Sequence, residues 1–251
     1  MSVDPKDIAE YALRLGDDAL ILSQRLGEWC ADAPTLEEDI ALSNVALDYL
    51  GRARMLLQHA GSLLDKSEDE LAFFRDGPQF KNLLLVELPR GDFAFTMVRQ
   101  YLLDEYELLY FSALSESGDE TIAAIAAKTI KEVRFHQRRS REWMRRLGLG
   151  TAESNKRAQV ALASTWGYVA EFFAMDEVEG RLLSSGVAVD RGLLEGEWRT
   201  SVSGLLSQVE LTQPSDDWRQ VGGRQGIHTE HLGHMLGEMQ IVQRTYPGLD
   251  W

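Results

Sequence analysis

No proline stands between Pro89 and Pro214. Proline lacks an N–H and its ring clashes with the preceding turn, so a proline-free stretch of that length leaves room for several long helices. Composition points the same way. Leu and Ala together number 59, against 32 for Val, Ile and Thr combined; the first pair favour helices and the second group favour strands. The chain is predicted to be all-α.

Periodicity places the helices. Ile8, Tyr11, Ala12, Leu15, Ala19, Leu22, Leu26 and Trp29 recur at three- and four-residue steps, predicting a helix over 5–31 with Asp4 as cap and Pro5 as first helical residue. Thr35 followed by Glu38 is a capping box that opens a second helix to residue 64. That helix is apolar on more than one side (Ile40, Val45, Leu47, Leu50, Leu56, Leu57), as a central helix would be. Residues 65–91 read as an irregular connection around Leu83–Val86. Further helices are predicted over 92–116, 119–147, 154–184, 190–210 with Asp190 as cap, and 228–245. With short turns joining the first to the second and the third to the fourth, the expected fold is a single domain over 1–251. It would be an up-down four-helix bundle with additional helices packed on it.

Charge narrows the function. There are 26 basic and 40 acidic residues, a formal −14, which argues against sequence-independent nucleic-acid binding. The longest apolar run, Ile122–Ala127, is far short of the roughly 20 residues a bilayer span needs. The first residues, Met1-Ser-Val-Asp-Pro-Lys-Asp, have no apolar signal-peptide core. A cytoplasmic protein with no nucleic-acid and no membrane partner is expected. Cys30 is the only cysteine; it rules out an intrachain disulfide and is expected to be packed at the end of its helix.

An acidic helical bundle invites a di-iron carboxylate site, which needs a Glu from each of two helices and a Glu-x-x-His from each of two others. Three residues before His59, His136, His228, His231 and His234 stand Leu56, Val133, Gln225, His228 and His231. None is acidic, so no metal ligands are predicted. A looser spacing, Glu four residues before His, survives at Glu132–His136 and Glu230–His234. His136 shares the stripe of Val133 and Trp143 and reads as a core histidine held by Glu132; Glu230 and His234 project away from the stripe of Leu232, Met235, Met239 and Val242. Gly222-Gly-Arg-Gln-Gly226 could cradle an anion, but lacks the P-loop lysine and reads as a flexible loop. Residues 128–146 hold eight basic residues against Glu132 and Glu142, a local +6. That segment is either a docking face for an acidic partner or a solvated face balancing acidic neighbours in its own chain.

Several long strings resemble one family: Leu13-Arg-Leu-Gly-Asp-Asp18, Leu22-Ser-Gln-Arg-Leu-Gly-Glu-Trp-Cys30, Gln79-Phe-Lys-Asn-Leu-Leu-Leu-Val-Glu87, Lys131-Glu-Val-Arg-Phe-His136, Gly226-Ile-His-Thr-Glu-His-Leu-Gly-His234 and Pro247-Gly-Leu-Asp-Trp251. They are similar to the C subunits of bacterial phenylacetyl-CoA epoxidases, over nearly the whole chain. The resemblance implies a ferritin-like bundle without a metal site and without catalytic residues of its own. It implies direct pairing with an A subunit that holds the di-iron centre, and a complex with a B subunit and an NADPH-dependent reductase carrying FAD and iron–sulfur. It also implies phenylacetyl-CoA at or near the interface, with contacts at Phe80, Lys81, Asn82 and Leu83 and at Arg181, Leu182 and Leu183. Partner docking is expected at Arg138, Arg139, Arg141 and Trp251. Two alternatives stay open: a self-sufficient metal-binding oxygenase using Glu132, His136, Glu230 and His234, and a stand-alone acyl-CoA-binding module.

Overall fold

The computed structural model describes residues 3–249, and they form helices and turns with no strand. In chain order the α-helices are α1 (Pro5–Gly27), α2 (Leu36–Leu64), α3 (Glu68–Phe73), α4 (Leu84–Glu87), α5 (Phe93–Leu114), α6 (Glu120–Leu149), α7 (Ala152–Thr165), α8 (Ala170–Phe173), α9 (Glu177–Leu183), α10 (Glu195–Gln208), α11 (Glu230–Met239) and α12 (Ile241–Thr245). The chain divides into two compact units, Met1–Pro89 with Gly222–Trp251, and Arg90–Val221.

The first unit is built on the antiparallel pair α1 and α2. The Asp4 carboxylate accepts from the Lys6 amide at 2.9 Å and starts α1 as its sequence predicts. The helix ends four residues earlier than expected. Trp29, Cys30 and Asp32 instead donate backbone bonds three residues back, and Ala31 takes a left-handed conformation at φ 65. Trp29 is buried but Cys30 is exposed, so the expectation of a packed cysteine is corrected: it sits on the turn beyond the helix. In α2 the buried stripe is Leu42, Val45, Tyr49, Leu56 and Leu57, whereas Ile40 and Leu47 are 54% and 63% exposed. The apolar second face read in the sequence exists, and it faces water.

The second unit is built on α5 and α6, also antiparallel, with Phe93 at one end of α5 in edge contact with Trp143 of α6. Asp119 caps α6 through the Ile122 amide at 2.9 Å. Ile122, Ala126, Thr129, Val133, His136, Ser140 and Leu147 form its buried face, as their spacing predicts.

Three expected helices are broken. The one over 154–184 becomes α7, a 3-10 turn at Trp166–Val169, α8 and α9. Trp218 lies so close to Gly167 that a Cβ there would meet its ring at 2.1 Å, which fixes a glycine at this bend. Asp190 does cap the next segment, but that segment opens as a 3-10 turn before α10. The last helix divides at Gln240, whose buried amide donates to the carbonyls of Ala72 and Arg75 at 3.0 Å each.

Candidate functional site

The densest constellation of charge in the first unit is a clasp that ties residues 222–231 to α1 and to the loop around α4. It starts from two adjacent acids on α1. The fully buried Asp17 takes a bidentate pair from Arg75, with one contact at 3.0 Å, and accepts from the Lys81 amide at 2.9 Å. The Arg75 guanidinium also lies over the Phe80 ring, 4.1 Å from its centroid. Asp18 takes Arg224 at 2.7 and 3.1 Å and the Leu83 amide at 2.6 Å. Arg224 donates further to the carbonyls of Arg14 and Lys81. Its loop can reach so far in because Gly226, at φ +76, lies where a Cβ would stand 2.1 Å from the Pro78 carbonyl.

Glu87, at the end of α4, has no exposed surface and accepts four bonds. Oε1 takes the Thr229 amide and hydroxyl at 2.6 and 2.8 Å; Oε2 takes Asn82 at 2.8 Å and faces His228 Nδ1 at 2.7 Å. His228 Nε2 faces the Phe80 carbonyl at 2.9 Å. A carbonyl oxygen can only accept, so Nε2 carries a proton, and a bond to the carboxylate then requires a second proton on Nδ1. The arrangement therefore favours the imidazolium. Burial opposes that charge, but the bonds to Glu87 and Phe80 outweigh it and raise the His228 pKa above its ordinary value.

Burial likewise pushes the Asp18 carboxyl up to about 6, against the pull of Arg224. Both shifts act in one direction. The folded unit holds protons at Asp18 and His228 that the unfolded chain has released, so the stability they add is lost as pH rises through their folded values. For Asp18 the window runs from the ordinary 3.8 to about 6. Asp18→Asn should remove this dependence, at most about 1.4 kcal/mol per pH unit for one proton. The difference in urea midpoint between wild type and variant, followed from pH 4 to 7, measures it. A difference that stays constant would show that Asp18 does not titrate there.

Two ion pairs of the second unit involve a buried carboxylate. Arg191 and Glu179, both almost fully buried, meet at 2.6 Å, and Arg191 also donates to the carbonyls of Glu171 and Ala174, locking the broken segment after α7. Glu105 of α5 binds Arg141 of α6 and accepts from the Ser201 hydroxyl of α10 at 2.8 Å. Asp104, one residue earlier, is held well above the usual carboxylate range by burial, although Ser140 hydrogen-bonds it. Around them stack Tyr106, Phe172, Phe173 and Trp198, with the Trp198 indole N–H donating to the Leu102 carbonyl at 3.0 Å.

The residues expected to contact a thioester fall in different places. Phe80, Asn82 and Leu83 are buried inside the clasp, so of that stretch only Lys81 keeps a partly exposed side chain. In α9, Leu182 is buried, while Arg181 and Leu183 are exposed. The two stretches belong to different units. Among the expected docking residues, Arg138 is exposed, Arg139 approaches the Met97 sulfur at 3.6 Å, and Arg141 is engaged by Glu105. Trp251 lies outside the described residues.

His136 is buried on α6, and Glu230 and His234 both face water. Among the described residues no group of three or more His, Cys, Asp or Glu is placed to hold a metal ion. The donor chemistry agrees: the acids of the clasp are bound to guanidinium, imidazole and amide groups, so a di-iron centre does not fit them. The glycine-rich loop, read in the sequence as flexible, is an ordered turn that inserts Arg224 into the clasp. The clasp itself escaped the sequence reading. Its one visible signal was a pair of adjacent acids inside an otherwise apolar stretch of helix.

No helix among the described residues is long and apolar enough to cross a membrane. Residues 2–251 match the family model described as phenylacetic acid catabolic protein. The chain is also 49% identical over 245 residues to the C subunit of the 1,2-phenylacetyl-CoA epoxidase of Escherichia coli (strain K12), a match covering 97% of this chain and 99% of that protein. An all-helical chain with this full-length similarity belongs to the phenylacetic acid catabolic protein family, whose fold is ferritin-like.

Proposed function

We propose that this chain is a non-catalytic structural subunit of a di-iron oxygenase that converts phenylacetyl-CoA to its ring-1,2-epoxide in aerobic phenylacetate catabolism in the cytoplasm. Its direct partner is the catalytic A subunit, which holds the iron; a B subunit and a reductase with FAD and iron–sulfur complete the assembly. The observation that carries this reading is the state of the carboxylates in the clasp. Where a di-iron protein keeps inward acids for metal, Asp17, Asp18 and Glu87 are each closed by an arginine or a histidine. The full-length similarity to a protein named as one subunit of an epoxidase supports the multicomponent setting. The chain's own residues then supply rigidity and a surface, and no step of the oxidation runs through them.

Phenylacetyl-CoA lies at or near the interface with the A subunit in this reading. Each stretch is a separate candidate contact: in the first unit Lys81 is the partly exposed cation that would meet a phosphate, and in the second Arg181 offers a charge and Leu183 an apolar contact. Phe80, Asn82, Leu83 and Leu182 would act from beneath by holding those segments in place.

Two measurements test the proposal. Co-expressed with a catalytic A subunit, the chain is expected to elute with it on gel filtration at micromolar concentration; separate elution would sink the pairing. After anaerobic iron loading of the isolated chain, metal analysis is expected to find well under one iron per chain. Near two irons, lost on His136→Ala, would instead establish a self-sufficient metalloprotein.

A further inference from the structure

The solvent face of α6 carries a set of cations. Lys131, Arg134, Arg138 and Arg145 are all exposed, and none takes part in an ion pair among the described residues. At about 100° per residue, Lys131, Arg138 and Arg145 fall on one line along the helix, seven residues apart. Phe135, Glu142 and Leu149 form a second line at the same spacing, about 40° away. Phe135 and Leu149 are 48% and 55% exposed, and Glu142 is paired with Arg146 at 3.3 Å. The two lines run along about 27 Å of helix. Two exposed apolar side chains, two turns to either side of Glu142 and beside a row of cations, give a face along which a second helix can lie with apolar contacts at its ends and charge between them.

We propose that this face docks an acidic helical face of a partner subunit, with Phe135 and Leu149 as apolar anchors and Lys131, Arg138 and Arg145 as the charged row. This rests on the multisubunit reading above. An apolar partner would bury three cations without counter-charge, which is unfavourable. A second copy of this chain brings a formal −14 against −14, and the two bodies repel as wholes. A polyanion would gain from the cations alone and would leave the two apolar anchors idle. The assignment also redraws the expected docking surface, because Arg141 is engaged by Glu105 inside the unit.

The test uses the full-length chain with Lys131→Glu, Arg138→Glu and Arg145→Glu combined, and the A subunit as partner. Affinity is measured by analytical ultracentrifugation at low and high salt. The variant is expected to bind at least about tenfold more weakly at low salt and to lose most of the salt dependence of the wild type. Its melting temperature should stay within a few degrees of wild type, since these side chains make no ion pair among the described residues. If it does not, the triple Gln variant should show the same weakening to a smaller degree. Phe135→Ala is expected to weaken binding without changing its salt dependence.

Equal binding by wild type and charge-reversed chains would overturn the docking face and leave the pairing intact. No complex with wild-type chain would overturn the pairing itself, and the docking face with it. Self-association of the isolated wild type, lost in the variant, would make a second copy the occupant and reject the proposal. Displacement of the A subunit by a duplex oligonucleotide would reject it in favour of a polyanion.

Discussion

Replacing Glu87 with Ala is expected to cost about 3–5 kcal/mol of stability, the range for stripping one partner from a buried ionic group. The carboxylate closes four bonds at once. Without it the Thr229 amide and hydroxyl, the Asn82 amide and the His228 ring lose an acceptor in a place that water does not reach. The loss should appear in two ways. The urea midpoint of the unit should fall, and hydrogen exchange should accelerate over residues 222–232 before it does so in α1. Glu87→Gln should be milder, because one oxygen can still accept from Thr229 while the new NH2 opposes the donors of Asn82 and His228. A Glu87→Ala chain within 1 kcal/mol of wild type would mean that the clasp does not hold the segment.

The second large effect is expected at the Arg191–Glu179 pair. Glu179→Ala leaves a guanidinium that is 1% exposed without its carboxylate, again worth about 3–5 kcal/mol. Exchanging both residues, as Arg191→Met with Glu179→Leu, should recover most of that loss, since a pair of apolar groups carries no desolvation cost. A double-mutant cycle on denaturant midpoints separates the two terms. If the double variant is as unstable as the single one, the carbonyl bonds that Arg191 makes to Glu171 and Ala174 carry the stability, and the ion pair does not.

What the sequence made legible was whatever local rules decide. The starts of α1 and α2 follow from Asp4 and Thr35, and the buried face of α6 follows from the four- and three-residue steps between its apolar positions. The breaks were not legible. Gly167 bends the chain because Trp218, 51 residues later, occupies the space a side chain would need, and no local window contains both. Gln240, where the last helix divides, is likewise tied to distant residues, its side-chain amide donating to the carbonyls at 72 and 75.

The clasp was hidden more deeply. Hydrophobic periodicity registers only apolar positions, so it carries no sign that Asp17 and Asp18 face inward. Their partners at 75 and 224 stand 58 and 206 residues away. The absent Glu-x-x-His spacing, by contrast, could be read directly, because its test is local.

The first unit is discontinuous, and that sets an order for building it. During synthesis residues 90–221 emerge as one uninterrupted unit, whereas the clasp on α1 lacks Arg224, His228 and Thr229 until the last part of the chain is made. At ordinary elongation rates the gap is on the order of ten seconds. Through that interval Asp17, Asp18 and Glu87 stand on a half-built unit, and the second unit has time to fold first. The contacts on the first helix are thus the last to be closed, by Arg224, His228 and Thr229, more than 190 residues after that helix has left the ribosome.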